Sequence, residues 1–266
     1  MTTHNNPLPR EIASGIFWLG ICHEQFHKGK VYHTYNASFL VVGSEGALLI
    51  ETGHQGDYPT IRKQVKAILK EQNATLKYLF LTHQEVPHAG GTGRILSDFP
   101  EVTVHCDVSD YHLCFPEFSH RLNDLEVGDS IDLGNRKFIV AEPVIRDLRT
   151  SLWGFDTLTR TLFPGDGFAY SHYHWDQHCG KTAEEAETLD LGEVSAVFAE
   201  RALFWTKLAD MNIYVDRLEE LVKELDVSVI APSHGLPIQD LSKTMPKIRD
   251  GLVSYQSEVS LSSELP

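Results

Sequence analysis

The most constraining feature of this sequence is a short histidine and carboxylate motif that directly follows an apolar segment. Residues 76–81 are mainly apolar and are predicted to form a buried strand. His83, Glu85 and His88 follow within six residues, and Gly90 and Gly91 then indicate a turn. Imidazole nitrogens and carboxylate oxygens are common metal ligands in proteins. The motif therefore predicts a metal site at the end of this strand.

Apolar segments elsewhere alternate between the period of strands and that of helices. A hairpin is predicted where residues 38–42 and 47–52 flank Gly43-Ser44-Glu45-Gly46. Further strands are predicted at 16–21, 76–82, 102–105, 137–141, 152–155, 161–164 and 227–231, and helices at 58–71, 91–98 and 211–225. This order favours one α+β domain over residues 1–253, with two mixed sheets packed face to face and helices outside. Residues 254–266 are rich in Ser and Glu and are predicted to form a polar tail.

Two further segments place a possible ligand directly after a predicted strand. They are Leu162-Phe163-Pro164-Gly165-Asp166-Gly167-Phe168 and Ile230-Ala231-Pro232-Ser233-His234-Gly235. With the first motif they resemble the metallo-β-lactamase superfamily. Glu85 in place of a second histidine resembles its flavodiiron branch, whose pattern is H-x-E-x-D-H-x-G-G, and Thr34-Tyr35-Asn36 is similar to a flavodiiron segment. The resemblance spans roughly residues 16–235 and implies an αββα metallo-β-lactamase-like sandwich.

The resemblance also implies which side chains hold metal. One site would use His83, Glu85 and Asp166, and the other would use His88, Asp166 and His234. In relatives the aspartate bridges two metal ions. Two imidazoles and one carboxylate are the set that non-haem Fe(II) enzymes use, so the second site could hold iron alone.

The sequence departs from the family pattern at two ligand positions. Pro87 stands where relatives have a ligand aspartate, and Arg146 stands where they have another histidine. Proline supplies no side-chain donor and is expected to hold Val86 in an extended conformation. Arg146 would repel a second cation, whereas the adjacent Asp147 could restore a ligand. The sequence leaves open whether each chain binds one, two or no metal ions.

Other residues have two interpretations each. Glu51 stands at a strand end where the superfamily usually has an aspartate, and it is expected to support the metal loop by hydrogen bonding. His172 and His174 could replace missing ligands, or could lie in a solvated loop that packs against a partner subunit. His33 and Tyr35 could line the pocket, or could be ordinary turn residues.

Composition limits the compartment and the partners. The 266 residues carry a formal net charge of −14, which disfavours nucleic acid and anionic membranes as partners. No apolar run is long enough to predict a membrane span, and the first ten residues are polar and do not resemble a signal peptide. A cytoplasmic location is therefore expected. No C-x-x-C pair is present, so free thiols are expected at Cys22, Cys106, Cys114 and Cys179.

Three hypotheses for function follow. The first is a flavodiiron-like non-haem iron oxidoreductase or oxygen-binding protein, with one or two iron ions and dioxygen or a small molecule as substrate. No flavin-binding or rubredoxin motif is recognised, so a separate electron donor is expected, and the resemblance implies a homodimer. The second is a metal-dependent hydrolase in which zinc activates water. The third is a non-catalytic sensor or binding protein on the same fold.

Overall fold

The computed structural model describes residues 7–262, with side chains described as far as residue 254. The strands in this range are β1 (Arg10–Ala13), β2 (Ile16–Leu19), β3 (Cys22–His27), β4 (Lys30–Tyr35), β5 (Ser38–Gly43), β6 (Gly46–Ile50), β7 (Leu76–Phe80), β8 (Thr103–Cys106), β9 (Leu122–Asp124), β10 (Ser130–Asp132), β11 (Lys137–Ala141), β12 (Trp153–Asp156), β13 (Thr161–Phe163), β14 (His172–Tyr173) and β15 (Val229–Ile230). The helices are α1 (Tyr58–Glu71), α2 (Val86–Ala89), α3 (Thr92–Asp98), α4 (Tyr111–Cys114), α5 (Leu191–Arg201), α6 (Met211–Glu224) and α7 (Leu241–Ser262), with 3-10 helices at Pro116–Arg121 and Phe204–Leu208.

The first sheet is mixed and contains seven strands in the order β1-β2-β5-β6-β7-β8-β9. The strands from β1 to β6 pair antiparallel, and those from β6 to β9 pair parallel. The predicted hairpin joins β5 to β6, with Gly43 opposite Gly46. Gly46 has a φ of 149°, which glycine adopts without a side-chain clash. Helices connect the parallel strands, as crossovers of this kind require.

The second sheet contains five strands in the order β10-β11-β12-β13-β15, and only its β13–β15 pair is parallel. Aromatic rings fill the space between the two sheets. The ring centroid of Phe39 lies 5.5 Å from that of Phe163, and Phe80 lies 4.8 Å from Phe138. Each pair joins one sheet to the other, so the prediction of two mixed sheets packed face to face is confirmed.

Alternation along the strands explains why the helices lie outside. Phe39 faces the second sheet, whereas its neighbour Leu40 belongs to the apolar cluster on the opposite face. Ile61 and Val65 of α1 are buried in that same cluster, at the helical spacing seen in the sequence. Successive strand residues point to opposite faces, so the first sheet contacts the second sheet on one side and helices on the other.

A third sheet, with strands in the order β14-β4-β3, is absent from the sequence-based prediction. His172 pairs with His33 across β14 and β4, and both side chains are buried. The interpretation of His172 as part of a solvated loop is therefore wrong, because main-chain pairing with β4 draws this segment into the protein. Trp175, further along the same segment, is 61% exposed.

The C-terminal helix α7 extends further than the sequence suggests. It runs to Ser262, so the main chain of residues 254–262 is helical where a polar tail is predicted, and residues 263–266 lie outside the described range. Met245, Ile248 and Leu252 share one face of α7 and are buried in the core. Within residues 7–262, no helix combines the length and the apolar character that crossing a bilayer requires.

Candidate metal centre

The candidate metal centre lies where loops leave four strands of the two sheets. The loops that follow β7, β11, β13 and β15 supply the donor side chains His83, Glu85, His88, Asp147, Asp166 and His234. Because β13 and β15 run parallel, the loops that follow them begin at the same edge of the second sheet. The topology thus brings together side chains that are far apart in the sequence.

The first group of donors contains His88, Asp166 and His234, all of which are buried. Oδ1 of Asp166 lies 3.4 Å from Nε2 of His88 and 3.5 Å from Nε2 of His234. The three donor atoms thus face one another from three different loops. This set of two imidazoles and one carboxylate can bind a divalent metal on one face and leave other positions open.

A second group forms around His83. Its Nε2 lies 3.6 Å from Oδ2 of Asp147, and donor atoms of His83, Asp147 and Asp166 lie within 4.8 Å of one another. Donor atoms of His83, Glu85 and His88 meet the same condition. Glu85 is exposed whereas both histidines are buried, so this side of the centre reaches the protein surface.

Arg146 lies apart from these groups, although it is adjacent to Asp147 in sequence. Its side chain is exposed, and its Nε donates to the carbonyl oxygen of Pro143 at 3.1 Å. Its own carbonyl oxygen accepts a hydrogen bond from Nε1 of Trp205 at 2.7 Å. This placement does not support Arg146 as a pocket residue. Asp147 faces His83 instead and supplies a donor close to the position where the family pattern has a histidine.

We expect Asp147→Ala to weaken metal binding by at least roughly 10-fold, because His83 would lose a facing carboxylate. Arg146→His should leave metal binding unchanged, since the side chain at that position is exposed. Metal titration followed by elemental analysis of the folded proteins measures both effects. A higher metal content in Arg146→His would contradict the placement of these two residues.

Several buried donor atoms at the centre have no hydrogen-bond partner among the described residues. They are Nε2 of His83, Nε2 of His88 and Oδ1 of Asp166. A buried polar atom without a partner costs about 1–3 kcal/mol, so three such atoms at one centre need compensation. Metal cations bound by the two groups of donors would compensate them. The residues present therefore fit a metal ion.

Burial also sets the protonation of the donors. It lowers the pKa of His88 and that of His234 to about 4, and it lowers the pKa of His83 well below the usual range. Burial raises the pKa of Asp166 to about 6. It raises the pKa of Asp147 to about 7, with a further contribution from nearby negative charges. Neutral imidazoles are the form that binds metal, and a bound cation would favour the ionised carboxylates.

Hydrogen bonds determine which imidazole nitrogen faces the centre. Oγ1 of Thr82 donates to Oε1 of Glu51 and lies 3.0 Å from Nδ1 of His83. Since the hydroxyl hydrogen is directed at Glu51, we assign Nδ1 of His83 as the donor to Thr82. Nδ1 of His234 donates in the same way to the carbonyl oxygen of Tyr35, at 2.6 Å. Both rings therefore present the lone pair of Nε2 to the carboxylates.

Glu51 links the loops that carry the ligands. It is fully buried, and its Oε1 accepts hydrogen bonds from the Thr82 amide and from Oγ of Ser233, each at 3.3 Å. The same oxygen lies 3.3 Å from Nδ1 of His88. These contacts correspond to the supporting role that the sequence suggested for Glu51.

Thr82→Val is expected to weaken metal binding by roughly 10–100-fold, which is typical for loss of a group that orients a ligand. Valine keeps the shape of threonine but removes the hydroxyl that joins Glu51 to His83. Thr103→Val, which changes a partly buried threonine on β8, serves as the matched control. Equal affinities in the two variants, measured by metal competition, would show that the hydroxyl does not position His83.

Pro87 is accommodated because it lies in the first turn of α2. Amide groups in the first turn of a helix have no helical partner, so proline is tolerated there. Val86 is helical, and the expectation that it is extended is therefore wrong. α2 buries His88. Gly91, two residues after the end of α2, is needed for close packing, since a Cβ there would lie 2.9 Å from the carbonyl oxygen of Thr52.

The other histidines considered for the pocket belong to a different cluster. His33 and His172 face the sulfur atoms of Cys22 and Cys179, and a ring nitrogen of His174 contacts His33. All four cysteines of the chain are free thiols, as expected. No sequence motif indicates this cluster, because its members are distant along the chain. The closest signal was the pair of histidines in the aromatic segment 170–175.

Several curated relatives that match most of this chain are named as oxidoreductases. The coenzyme F420H2 oxidase of Methanothermobacter thermautotrophicus is 26% identical over 239 residues, which is 85% of this chain and 56% of that protein. The anaerobic nitric oxide reductase flavorubredoxin of Pectobacterium atrosepticum is 26% identical over 243 residues, which is 86% of this chain and 45% of that protein. The chain therefore spans about half the length of these relatives.

Solved flavodiiron structures share the fold. The flavodiiron protein of Giardia intestinalis has a TM-score of 0.73 at 16% identity, over 94% of this chain and 60% of that chain. The rubredoxin oxygen:oxidoreductase of Desulfovibrio gigas has a TM-score of 0.67 at 14% identity, over 95% of this chain and 62% of that chain. The sequence profile of the Metallo-beta-lactamase superfamily matches residues 32–234, a range that contains every donor of the candidate centre. The chain therefore belongs to the metallo-beta-lactamase superfamily, with relatives and structural neighbours among flavodiiron proteins.

Proposed function

We propose that this protein is a non-haem iron oxidoreductase that reduces a small diatomic molecule, either dioxygen or nitric oxide. The observation that carries this proposal is the position of Asp147. The sequence lacks the aspartate and histidine expected at positions 87 and 146, yet Asp147 lies 3.6 Å from His83 and completes a set of three imidazoles and three carboxylates. The names of the relatives support redox chemistry at such a centre.

The donors divide into two sets that share Asp166. His88, Asp166 and His234 would hold one iron ion, and His83, Glu85 and Asp147 would hold a second beside Asp166. Bound iron would supply one-electron redox chemistry and open coordination positions for a small ligand. Asp166 would keep the two ions adjacent.

Other features of the pocket favour a small substrate. Five of the six donors are buried or half-buried, and Glu85 is the exposed member, so we infer that substrate enters on its side. The ring of Phe198 lies 5.2 Å from that of His234 and covers the histidine with an apolar surface. Thr82 and Tyr35 hold the Nδ1 protons of His83 and His234, which keeps these rings fixed during turnover.

The electrons would come from a donor protein or cofactor outside the sandwich formed by residues 7–262. Reduced flavin or reduced rubredoxin can serve as a probe for such a donor. Because the sequence is strongly acidic, with a net charge of −14, we expect transfer from an acidic donor to be faster at higher salt, where repulsion is screened.

The proposal is tested by loading the metal-free protein with either Fe(II) or Zn(II) under anaerobic conditions. The iron-loaded protein, supplied with a reduced donor, should consume dioxygen or nitric oxide, and the zinc-loaded protein should not. Iron-loaded Asp147→Ala should be slower than wild type, with Arg146→Ala as the matched control.

Hydrolysis of a thioester or lactam by the zinc form, without oxidase activity in the iron form, would contradict the proposal in favour of a hydrolase. Failure to bind either metal would contradict it in favour of a non-catalytic protein.

A further inference from the structure

A second cluster of donor atoms lies on the three-stranded sheet and shares no ligand with the centre described above. Cys22 begins β3, His33 lies on β4, His172 begins β14 and Cys179 follows β14. Their donor atoms all lie within 4.8 Å of one another. Both histidines are buried and both cysteines are half-buried, so the cluster is largely enclosed.

The distances within this cluster are close to those of a tetrahedral site. The two sulfur atoms are 3.3 Å apart, and Nδ1 of His33 lies 3.2 Å from each of them. Nε2 of His172 lies 3.4 Å from the sulfur of Cys22 and 3.5 Å from that of Cys179. Zinc bonds of about 2.3 Å to sulfur and 2.0–2.1 Å to nitrogen place tetrahedral ligands about 3.3–3.8 Å apart. Outward shifts of a few tenths of an ångström would therefore admit the ion.

We propose that Cys22, His33, His172 and Cys179 bind a zinc ion in a closed, four-coordinate structural site. Two thiolates and two imidazoles are one of the sets that structural zinc sites use. All four positions would be filled by protein, so none is left for a substrate. The site is therefore distinct in chemistry from the centre around Asp166, whose donors are imidazoles and carboxylates.

A disulfide between Cys22 and Cys179 is the competing use of these thiols. It would need an oxidant, and it would leave Nδ1 of His33 and Nε2 of His172 directed at sulfur atoms that offer them no proton. A metal ion satisfies both sulfurs and both nitrogens together. The second nitrogen of His33 contacts a ring nitrogen of His174, which would hold His33 in the orientation that a ligand needs.

A bound ion would stabilise the attachment of the segment that contains β14. β14 contributes only two pairs to the sheet, His172 with His33 and Tyr173 with Tyr32. The main-chain pairing of β14 with β4 therefore holds this segment only weakly. Cys22 and Cys179 are separated by 157 positions, so a shared ion would attach a late segment to the early β3–β4 hairpin.

The site also supports the first centre through β4. The ring of His172 stacks on that of Tyr35, with centroids 5.5 Å apart. The carbonyl oxygen of Tyr35 accepts the Nδ1 hydrogen bond of His234. An ion held by His33 and His172 would thus fix the part of β4 that orients a ligand of the first centre.

Cobalt(II) substitution tests the proposal, because sulfur-to-cobalt charge-transfer absorption reports only on a site that contains thiolate. The first centre has no sulfur donor, so its occupancy cannot mimic the signal. We expect the reduced full chain to show this absorption together with the bands of tetrahedral cobalt, and zinc to displace both. Cys179→Ser should lose the absorption and bind one ion fewer per chain. Cys114→Ser, which changes an exposed thiol, is the matched control and should behave as wild type.

The proposal would be overturned by the absence of thiolate absorption in the reduced wild type, or by wild-type absorption in Cys179→Ser. If Cys179→Ser does not fold, His172→Cys keeps four ligands and should increase the charge-transfer intensity, and unchanged intensity would also count against the site. Zinc should further protect Cys22 and Cys179, but not Cys114, from alkylation measured by mass spectrometry. Equal labelling with and without zinc would favour free thiols or a disulfide.

Discussion

Replacing Asp166 with alanine is expected to abolish metal binding at both groups of the first centre. Oδ1 of Asp166 faces Nε2 of His88 and Nε2 of His234, and Asp166 also belongs to the group around His83. Loss of a shared ligand should cost more than the roughly 10–100-fold typical of a supporting residue. Elemental analysis after dialysis against limiting Fe(II) measures the change.

Asp226→Ala is a suitable control for this variant. The Asp226 side chain is 78% exposed and pairs with Arg160 at the surface, so its removal should leave metal content at the wild-type value. Circular dichroism establishes that both variants are folded. Retention of the full iron content by folded Asp166→Ala would show that the groups around His83 and His88 bind metal without a shared carboxylate.

Phe138→Ala is expected to lower the free energy of unfolding by about 3–5 kcal/mol, the usual range for a phenylalanine removed from a core. Phe138 is fully buried between the sheets, and its ring centroid lies 4.8 Å from that of Phe80 and 5.9 Å from that of Phe163. A Cβ at Gly154 would lie only 1.9 Å from this ring, so the ring fills the space above that glycine. Alanine would leave a cavity that the adjacent strand cannot fill.

Urea denaturation of wild type and variant measures this loss. Phe204→Ala is the matched control, because its side chain is 67% exposed and its removal should change stability by no more than about 0.5 kcal/mol. A loss below about 1 kcal/mol for Phe138→Ala would mean that the core can collapse around the missing ring.

The parts of the fold that could be predicted are those with strong local signals. The β5–β6 hairpin follows from a glycine-bounded turn between apolar segments, and α1 follows from apolar residues at helical spacing. β14 could not be predicted, because a two-residue strand has no periodicity of its own and exists through its pairing with β4. The helical main chain of residues 254–262 was missed for a similar reason, since α7 is anchored by earlier residues such as Ile248 and Leu252.

The candidate site shows the same division. His83, Glu85 and His88 could be found because they lie close together in one motif, and Asp166 and His234 because each directly follows a strand. Arg146 and Asp147 could not be distinguished by alignment. The two are adjacent, and only the path of the loop decides that Arg146 is exposed while Asp147 faces His83. The cluster around Cys22 and Cys179 depends on a contact between side chains 157 positions apart, which no short motif encodes.

The distribution of ligands along the chain also determines when the first centre can form during folding. His83, Glu85 and His88 come from one loop, so a chain with only the first sheet in place can bring them together. Asp166 and His234 join them after β13 and β15 have paired, and contacts between distant segments form late because closing long loops costs entropy. We therefore expect uptake of metal by the complete centre to coincide with the late steps of folding. Metal that binds only the folded chain does not slow the formation of either sheet. Its binding free energy adds to the stability of the folded protein.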